Sequence, residues 1–265
     1  MSIGVCNWAF AGSLRGVRSV KELAGLAKET GFNYLEGAFH PGGYLGPNGP
    51  PPDRSLPVPL SSLATLQLHR FHLTDPRPQR RAYAFEMVQK MIDCAESWAI
   101  RSISFSPGPL YPGQDLIEVL EQTSRQLLLL AGRAARFGCR IALENVPGHC
   151  LVTREAMSLT LSRLGPDVYV CLDTGNALLD PPVTQWMDEF RSRIVKIHLS
   201  DGLVAAGALN ALLPGQGEVP WKEVRDGVER IQCEFDLFVE APLPAGMPEV
   251  AFLHQLRYAI RTVWE

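Results

Sequence analysis

The chain has 265 residues, of which 46% are hydrophobic and 20% are charged, a balance that excludes an intrinsically disordered protein. Its 25 basic and 28 acidic residues give a formal net charge of −3. We therefore expect no nucleic-acid partner, because that affinity comes largely from neutralising phosphates. The longest apolar run, residues 127–131, is too short to cross a bilayer, so we expect no membrane partner.

The six cysteines lie outside any Cys-x-x-Cys pair, and several of them sit in apolar stretches. The first residues show no charged leader followed by an apolar run. This usage is typical of buried free thiols in a reducing compartment. The sequence therefore predicts a cytoplasmic protein.

Short runs of β-forming residues alternate along the chain with longer stretches that have helical spacing. After a first run at 3–8, Val20, Leu23 and Leu26 recur at helical spacing, and the helix is expected to end near Gly31. Further helices are predicted at 79–98, 115–137, 153–164, 184–191, 221–231 and 248–263. The strands are predicted at 3–8, 32–36, 66–73, 101–105, 140–144, 168–172, 194–199 and 235–240.

This alternation predicts a parallel sheet with helical crossovers. Eight repeats favour a closed (β/α)₈ barrel over an open doubly wound sheet, and 265 residues fall in the usual range of such barrels. No Gly-x-Gly-x-x-Gly motif follows the first strand, which argues against a dinucleotide-binding sheet. We predict one α/β domain, a TIM barrel, over residues 1–265.

Two connections depart from the regular alternation. Residues 38–59 contain seven prolines and cannot form a regular helix. The second helix is therefore expected to be missing, or reduced to a turn around 60–65. Residues 200–220 are rich in glycine and alanine. Both segments follow the carboxyl ends of strands, where barrel active sites are built, so we expect them to cover the site.

Four consecutive strands end in an ionisable residue, namely Glu144, Asp173, His198 and Glu240. Each has an ordinary alternative: a helix cap, a turn-forming aspartate, a hydrogen-bonded core histidine or a solvent-facing glutamate. Their joint appearance at equivalent strand ends favours a shared site. Carboxylates gathered at one barrel mouth repel each other, and a divalent cation removes that repulsion. Three carboxylates and one imidazole suit Mn²⁺ or Mg²⁺, with Co²⁺ and Zn²⁺ as alternatives.

The segments around these residues resemble the xylose isomerase-like barrel superfamily of sugar isomerases and epimerases, including ketose 3-epimerases. The resemblance covers nearly the whole chain. It is carried by FNYLE at 32–36, ALENVPG at 142–148, LDTGN at 172–176, KIHLSD at 196–201 and LPGQGEVPW at 213–221.

The resemblance implies one bound metal, most simply Mn²⁺, with Glu144, Asp173, His198 and Glu240 as its ligands. It also implies that Glu144 and Glu240 are the catalytic pair that removes and returns a proton beside a carbonyl. A chelated carbonyl makes the neighbouring C–H acidic, and proton transfer on opposite faces inverts the carbon. The expected activity is that of a metal-dependent isomerase or epimerase.

Two departures from the family pattern concern the substrate. Asn176 stands where the family often has a second histidine on the sixth strand. The segment 202–213 has no Arg or Lys, which favours an unphosphorylated keto sugar or polyol unless Arg15 or Arg18 reaches the site. The candidate substrate-binding residues are Trp8, His72, Asn176 and Gln216.

Three other functions are compatible with parts of this pattern. A lyase or dehydratase on a keto-inositol or keto-glycoside would use the same acidic C–H but lose a β-substituent. A non-catalytic barrel or partner subunit would keep the metal site alone. An endonuclease IV-like repair enzyme shares the superfamily but requires more histidines than the six present, and a basic track. Family members also lead us to expect a homodimer or homotetramer.

Overall fold

The computed structural model describes residues 2–12 and 18–264. Within these residues, eight parallel strands close into a barrel, which confirms the predicted (β/α)₈ architecture. The barrel strands are β1 (Gly4–Val5), β2 (Leu35–Ala38), β3 (Leu60–Ala64), β4 (Ser102–Phe105), β5 (Arg140–Glu144), β6 (Val168–Asp173), β7 (Ile194–Leu199) and β10 (Asp236–Val239). Their order around the barrel is β1-β10-β7-β6-β5-β4-β3-β2.

Seven α-helices are found in the described part of the chain, and they surround the barrel. They are α1 (Val20–Glu29), α2 (Pro78–Trp98), α3 (Leu116–Ala135), α4 (Arg154–Arg163), α5 (Val183–Glu189), α6 (Trp221–Val228) and α7 (Glu249–Trp264). Helix α4 begins as predicted, because the hydroxyl of Thr153 accepts a hydrogen bond from the Ala156 amide at 3.3 Å. Helix faces and strands bury one large apolar core that includes Leu63, Ile103 and Leu172.

The connection between β2 and β3 contains no helix, as its prolines predicted. The expected third strand at 66–73 is wrong, however, and so is the expected turn around 60–65. Residues 60–64 form β3, whereas Gln67–His69 form a 3₁₀ turn. The interior of β3 carries Ser62, whose hydroxyl donates to Glu36 at 2.9 Å. A polar residue facing into the barrel hid this strand from an apolar pattern. His72 therefore lies beyond the strand and not at its end.

Residues 200–220 contain more structure than their glycine and alanine content suggested. An antiparallel hairpin forms from β8 (Asp201–Ala205) and β9 (Ala208–Leu212), directly after β7. The turn uses Ala206 and Gly207, both with positive φ, which matches the twist that two-residue hairpins require. Ala211 of the hairpin lines a cavity together with Glu144 and Glu240, so this part of the hairpin reaches the barrel mouth. Among the described residues, no helix is long and apolar enough to span a bilayer.

Candidate metal centre

Four ionisable side chains meet at the carboxyl end of the barrel. Glu144 and Asp173 are the last residues of β5 and β6, His198 lies in β7, and Glu240 follows β10 directly. The register pairs Asp173 with His198 across β6 and β7, which sets both side chains at the same level of the barrel. One ligand atom from each of the four residues lies within 4.8 Å of the others. The structure therefore brings together the quartet that the strand ends predicted.

His198 is at the centre of this quartet. Its Nδ1 atom lies 2.8 Å from Oε2 of Glu240 and 3.2 Å from Oε1 of Glu144. Asp173 is held by two hydrogen bonds from outside the quartet. Its Oδ1 accepts from the Ser200 hydroxyl at 2.6 Å and from the backbone amide of Asn176 at 2.7 Å. The imidazole and the three carboxylates thus converge on one point at the mouth.

The quartet is electrostatically strained as a set of bare charges. Burial, together with the negative charges of Glu240 and Glu144, raises the pKa of Asp173 to about 8. Burial by itself lowers the pKa of an imidazole, but the ionisable groups around His198 outweigh it, so that its pKa is raised well above the ordinary value. Without a metal, Asp173 and His198 therefore each favour the protonated form. A divalent cation would take the place of these protons and balance the negative charges of the carboxylates. The donor set fits such an ion, because three carboxylates and an imidazole suit hard to borderline metals.

A cavity of about 270 Å³ opens directly above the quartet. Glu144 and Glu240 form part of its wall, and among the described residues no Arg or Lys lines it. Arg18, a sequence candidate for reaching the site, pairs instead with Glu22 and Glu249, while Arg15 lies outside the described residues. The other described residues that line it are Trp8, Ala64, Thr65, Leu68, His69, Phe105, Ser106, Val146, Pro147, Asn176, Ala211 and Pro242.

The four predicted substrate-binding residues are placed differently from one another. Trp8 and Asn176 line this cavity. Gln216 lines a neighbouring cavity beside α7. His72 does not line either cavity; its Nδ1 atom lies 2.6 Å from the Tyr111 hydroxyl. His69, which the sequence reasoning missed, faces the cavity instead, and the misplaced third strand explains why His72 was chosen over it.

Two residues close to the quartet in sequence also have clear structural partners. Asn145 donates to the backbone carbonyl of Asp173 at 3.0 Å and accepts from the Asp173 amide at 2.8 Å. Asp201 is buried, and its carboxylate accepts hydrogen bonds from the amides of Gly215 and Gly217 and from the Trp221 indole. Asn145 therefore fixes a quartet residue, whereas Asp201 anchors the loop that follows the hairpin.

Beneath the quartet lies a polar cluster that the sequence reasoning did not foresee. We call it the barrel floor, and it consists of Cys6, Glu36, Ser62, Ser104 and Lys196, all buried. Lys196 donates to Glu36 at 2.6 Å and to Ser104 at 2.8 Å. Burial opposes ionisation of Glu36, but the charges of Lys196 and His198 hold its pKa well below the ordinary value. One signal was available: Lys196 and His198 are two apart in β7, so they face the same side of the sheet.

Comparison with solved structures shows that other proteins share this fold. The chain superposes on the zinc-binding IolI protein with a TM-score of 0.81 at 15% identity, covering 100% of this chain and 98% of that one. An L-ribulose 3-epimerase gives a TM-score of 0.80 at 14% identity, with 100% and 95% covered. The 3-keto-D-glucoside 4-epimerase YcjR from E. coli gives 0.77 at 16% identity, with 99% of both chains covered. At these identities the similarity shows a shared fold.

No curated protein matches the sequence of this chain. The family model of the xylose isomerase-like TIM barrels matches residues 17–258, which include every barrel strand except β1 and all four residues of the quartet. The chain belongs to the xylose isomerase-like TIM barrel family.

Proposed function

We propose that the protein is a metal-dependent isomerase or epimerase of an unphosphorylated keto sugar or polyol. The observation that carries this proposal is the placement of Glu144 and Glu240. Both carboxylates approach Nδ1 of His198, line the same cavity, and come from strands that β6 and β7 separate in the barrel. Two carboxylates on different sides of one substrate can remove a proton from one face and return it to the other.

Glu144, Asp173, His198 and Glu240 would hold the ion, and we propose Mn²⁺ because carboxylate-rich sites with one imidazole suit it. When bound, a divalent cation supplies the Lewis acidity that makes a C–H beside a chelated carbonyl acidic. The protein's own contribution is positional. Asn145 and Ser200 fix Asp173, while the walls of the cavity, Trp8 and Phe105 among them, limit access of water.

Within residues 2–12 and 18–264, the cavity lining has no Arg or Lys, which supports an uncharged substrate because phosphate groups are usually bound by these side chains. Thr65, Ser106 and Asn176 offer neutral hydrogen-bonding groups suited to hydroxyls. The six cysteines are free, which supports a reducing compartment such as the cytoplasm as the place of action.

The proposal is tested by hydrogen exchange at carbon. The Mn²⁺-loaded protein is incubated in D₂O with a panel of ketopentoses, ketohexoses and keto-inositols, and deuterium beside the carbonyl is followed by NMR. We expect incorporation with at least one unphosphorylated substrate, together with an epimer or isomer. Glu144→Gln and Glu240→Gln should each abolish it, whereas Glu155→Gln, on the exposed start of α4, should not.

The products separate this proposal from its alternatives. An unsaturated product with loss of water or of a substituent identifies a lyase that uses the same proton abstraction. No exchange with any substrate, from a protein shown to hold its metal, contradicts both enzymatic functions and leaves a binding or partner role.

A further inference from the structure

A fourth carboxylate contacts the quartet from below. Glu36 lies in β2 and is completely buried inside the barrel. Its Oε2 atom lies 3.0 Å from Nε2 of His198, on the side of the imidazole opposite to Nδ1. The two ring nitrogens thus have separate surroundings: Nδ1 faces Glu144 and Glu240, and Nε2 faces Glu36.

The other oxygen of Glu36 is held by the barrel floor. Oε1 accepts hydrogen bonds from Lys196 at 2.6 Å and from the Ser62 hydroxyl at 2.9 Å. Lys196 is in turn fixed by Ser104 at 2.8 Å. These contacts restrain the carboxylate group, and they leave Oε2 directed toward His198 and the thiol of Cys6.

Burial of this ion pair demands a physical reason. Lys196 and Glu36 are both fully buried, and the attraction between their charges recovers only part of the free energy lost when each charge leaves water. Apolar side chains fill the interior of most barrels and would stabilise it as well or better. Glu36 does not line the cavity, so contact with a substrate does not account for it. Its second oxygen contacts the Cys6 thiol and His198, and of these two residues only His198 belongs to the quartet.

We propose that Glu36 is a positioning residue for the metal centre, and that Lys196 holds it in place. A carboxylate oxygen 3.0 Å from Nε2, which has no hydrogen-bond partner of its own among the described residues, favours the tautomer that carries its proton on Nε2. The lone pair is then on Nδ1, where it faces the other ligand residues. The inference rests on the proposed metal site, because it assigns Glu36 a role toward the ligand set.

The test compares metal binding with stability in matched variants. Glu36→Gln keeps the size of the side chain but removes its charge. It leaves Lys196 buried without an ionic partner, so the double variant Glu36→Gln/Lys196→Met provides a form from which both charges are gone. Thr160→Ala serves as control, since it removes a buried hydroxyl that donates to the Ala156 carbonyl within α4 and is not part of the barrel floor.

Each purified protein is titrated with Co²⁺, and the visible absorption of the bound ion and the thermal unfolding midpoint are recorded. We expect Co²⁺ affinity to fall about 10- to 100-fold in both Glu36 variants, with an altered absorption spectrum. The double variant should recover thermal stability relative to Glu36→Gln without recovering affinity. Thr160→Ala should lower stability and keep the wild-type affinity and spectrum.

If the role of Glu36 is purely structural, its replacement should change the thermal unfolding midpoint and leave the Co²⁺ affinity and spectrum unchanged. A folded double variant with the wild-type Co²⁺ affinity and spectrum would overturn the proposal. Wild-type protein that binds no Co²⁺ would overturn it together with the proposed function. Wild-type protein that binds Co²⁺ but exchanges no substrate proton, with weakened binding in the Glu36 variants, would refute the proposed function and support the positioning role.

Discussion

Asn145 and Asp173 exchange a reciprocal pair of hydrogen bonds across β5 and β6. The amide nitrogen of the Asn145 side chain donates to the Asp173 carbonyl at 3.0 Å, and its oxygen accepts from the Asp173 backbone amide at 2.8 Å. Asn145 directly follows Glu144, so this contact ties two residues of the quartet into one rigid unit. The backbone at the end of β6 therefore has little freedom to move away from the site.

Asn145→Ala should weaken metal binding although Asn145 is not itself a ligand. The change removes both hydrogen bonds and leaves a buried amide and carbonyl unpaired, which costs about 1–3 kcal/mol. We expect a lower free energy of unfolding in urea and a Mn²⁺ affinity reduced about tenfold. Asn210→Ala, on the exposed hairpin, should change neither quantity. Full Mn²⁺ affinity in Asn145→Ala would show that Asp173 needs no such support.

The stability of the metal-free protein should fall as the pH rises from 5 to 8. The pKa of Asp173 is raised to about 8, so over this range the folded state holds a proton that the unfolded chain has released. The raised pKa of His198 acts in the same direction. Its contribution to stability is complete below the pKa of the unfolded chain and is lost as the pH rises toward the higher pKa of the folded protein. The loss is at most about 1.4 kcal/mol per pH unit for each proton.

Urea unfolding at pH 5, 6, 7 and 8 in the presence of a chelator measures this dependence. Saturating Mn²⁺ should reverse its sign, since the ion binds the deprotonated ligands and competes better with protons at high pH. Asp173→Asn should flatten the metal-free curve. A metal-free wild type that becomes more stable between pH 6 and 8 would contradict the protonation states assigned to the quartet.

Asp201→Asn should loosen the hairpin and leave the metal centre intact. The carboxylate of Asp201 accepts hydrogen bonds from backbone amides and the Trp221 indole. In Asp201→Asn, the NH₂ group of the new side chain would face these N–H groups and could not accept from them. The expected cost is about 1–3 kcal/mol of local stability. Amide hydrogen exchange in residues 202–219 should accelerate, while Mn²⁺ affinity stays at the wild-type value. Unchanged exchange in this segment would show that other contacts hold the hairpin.

Asn176→Ala should impair substrate binding without loss of metal. Asn176 lines the cavity, where its side-chain amide can form a hydrogen bond with a substrate hydroxyl. We expect a rise in KM, with kcat/KM reduced about tenfold, which corresponds to the loss of about one hydrogen bond. Metal content should stay equal to that of the wild type. A variant that loses metal instead would make Asn176 part of the ion's surroundings.

The sequence predicted the barrel well where its strands are apolar and regular. The bounds of β5 and β7 were predicted to the residue, and the missing helix after β2 followed from its prolines. β3 was misplaced because Ser62 faces a polar interior, whereas the apolar residues at 66–73 pack against the core from a 3₁₀ turn and a loop. The hairpin was missed because glycine and alanine carry little information about strand pairing.

The quartet could be predicted because strand ends in a parallel barrel meet at one face, so position in sequence alone implies proximity. The barrel floor could not be predicted by the same argument. Cys6, Glu36 and Lys196 lie within or beside short strands, where an isolated polar residue gives no sign of which others it contacts. Only closure of the sheet brings β2 and β7 within hydrogen-bonding distance across the interior.

The most direct test of the account is the metal content of the purified protein, measured by mass spectrometry beside Glu240→Gln and the surface control Glu155→Gln. The account predicts about one divalent ion per chain in the wild type and the control, and its loss in Glu240→Gln. No metal in any of the three proteins, even after incubation with excess Mn²⁺, would contradict the central claim.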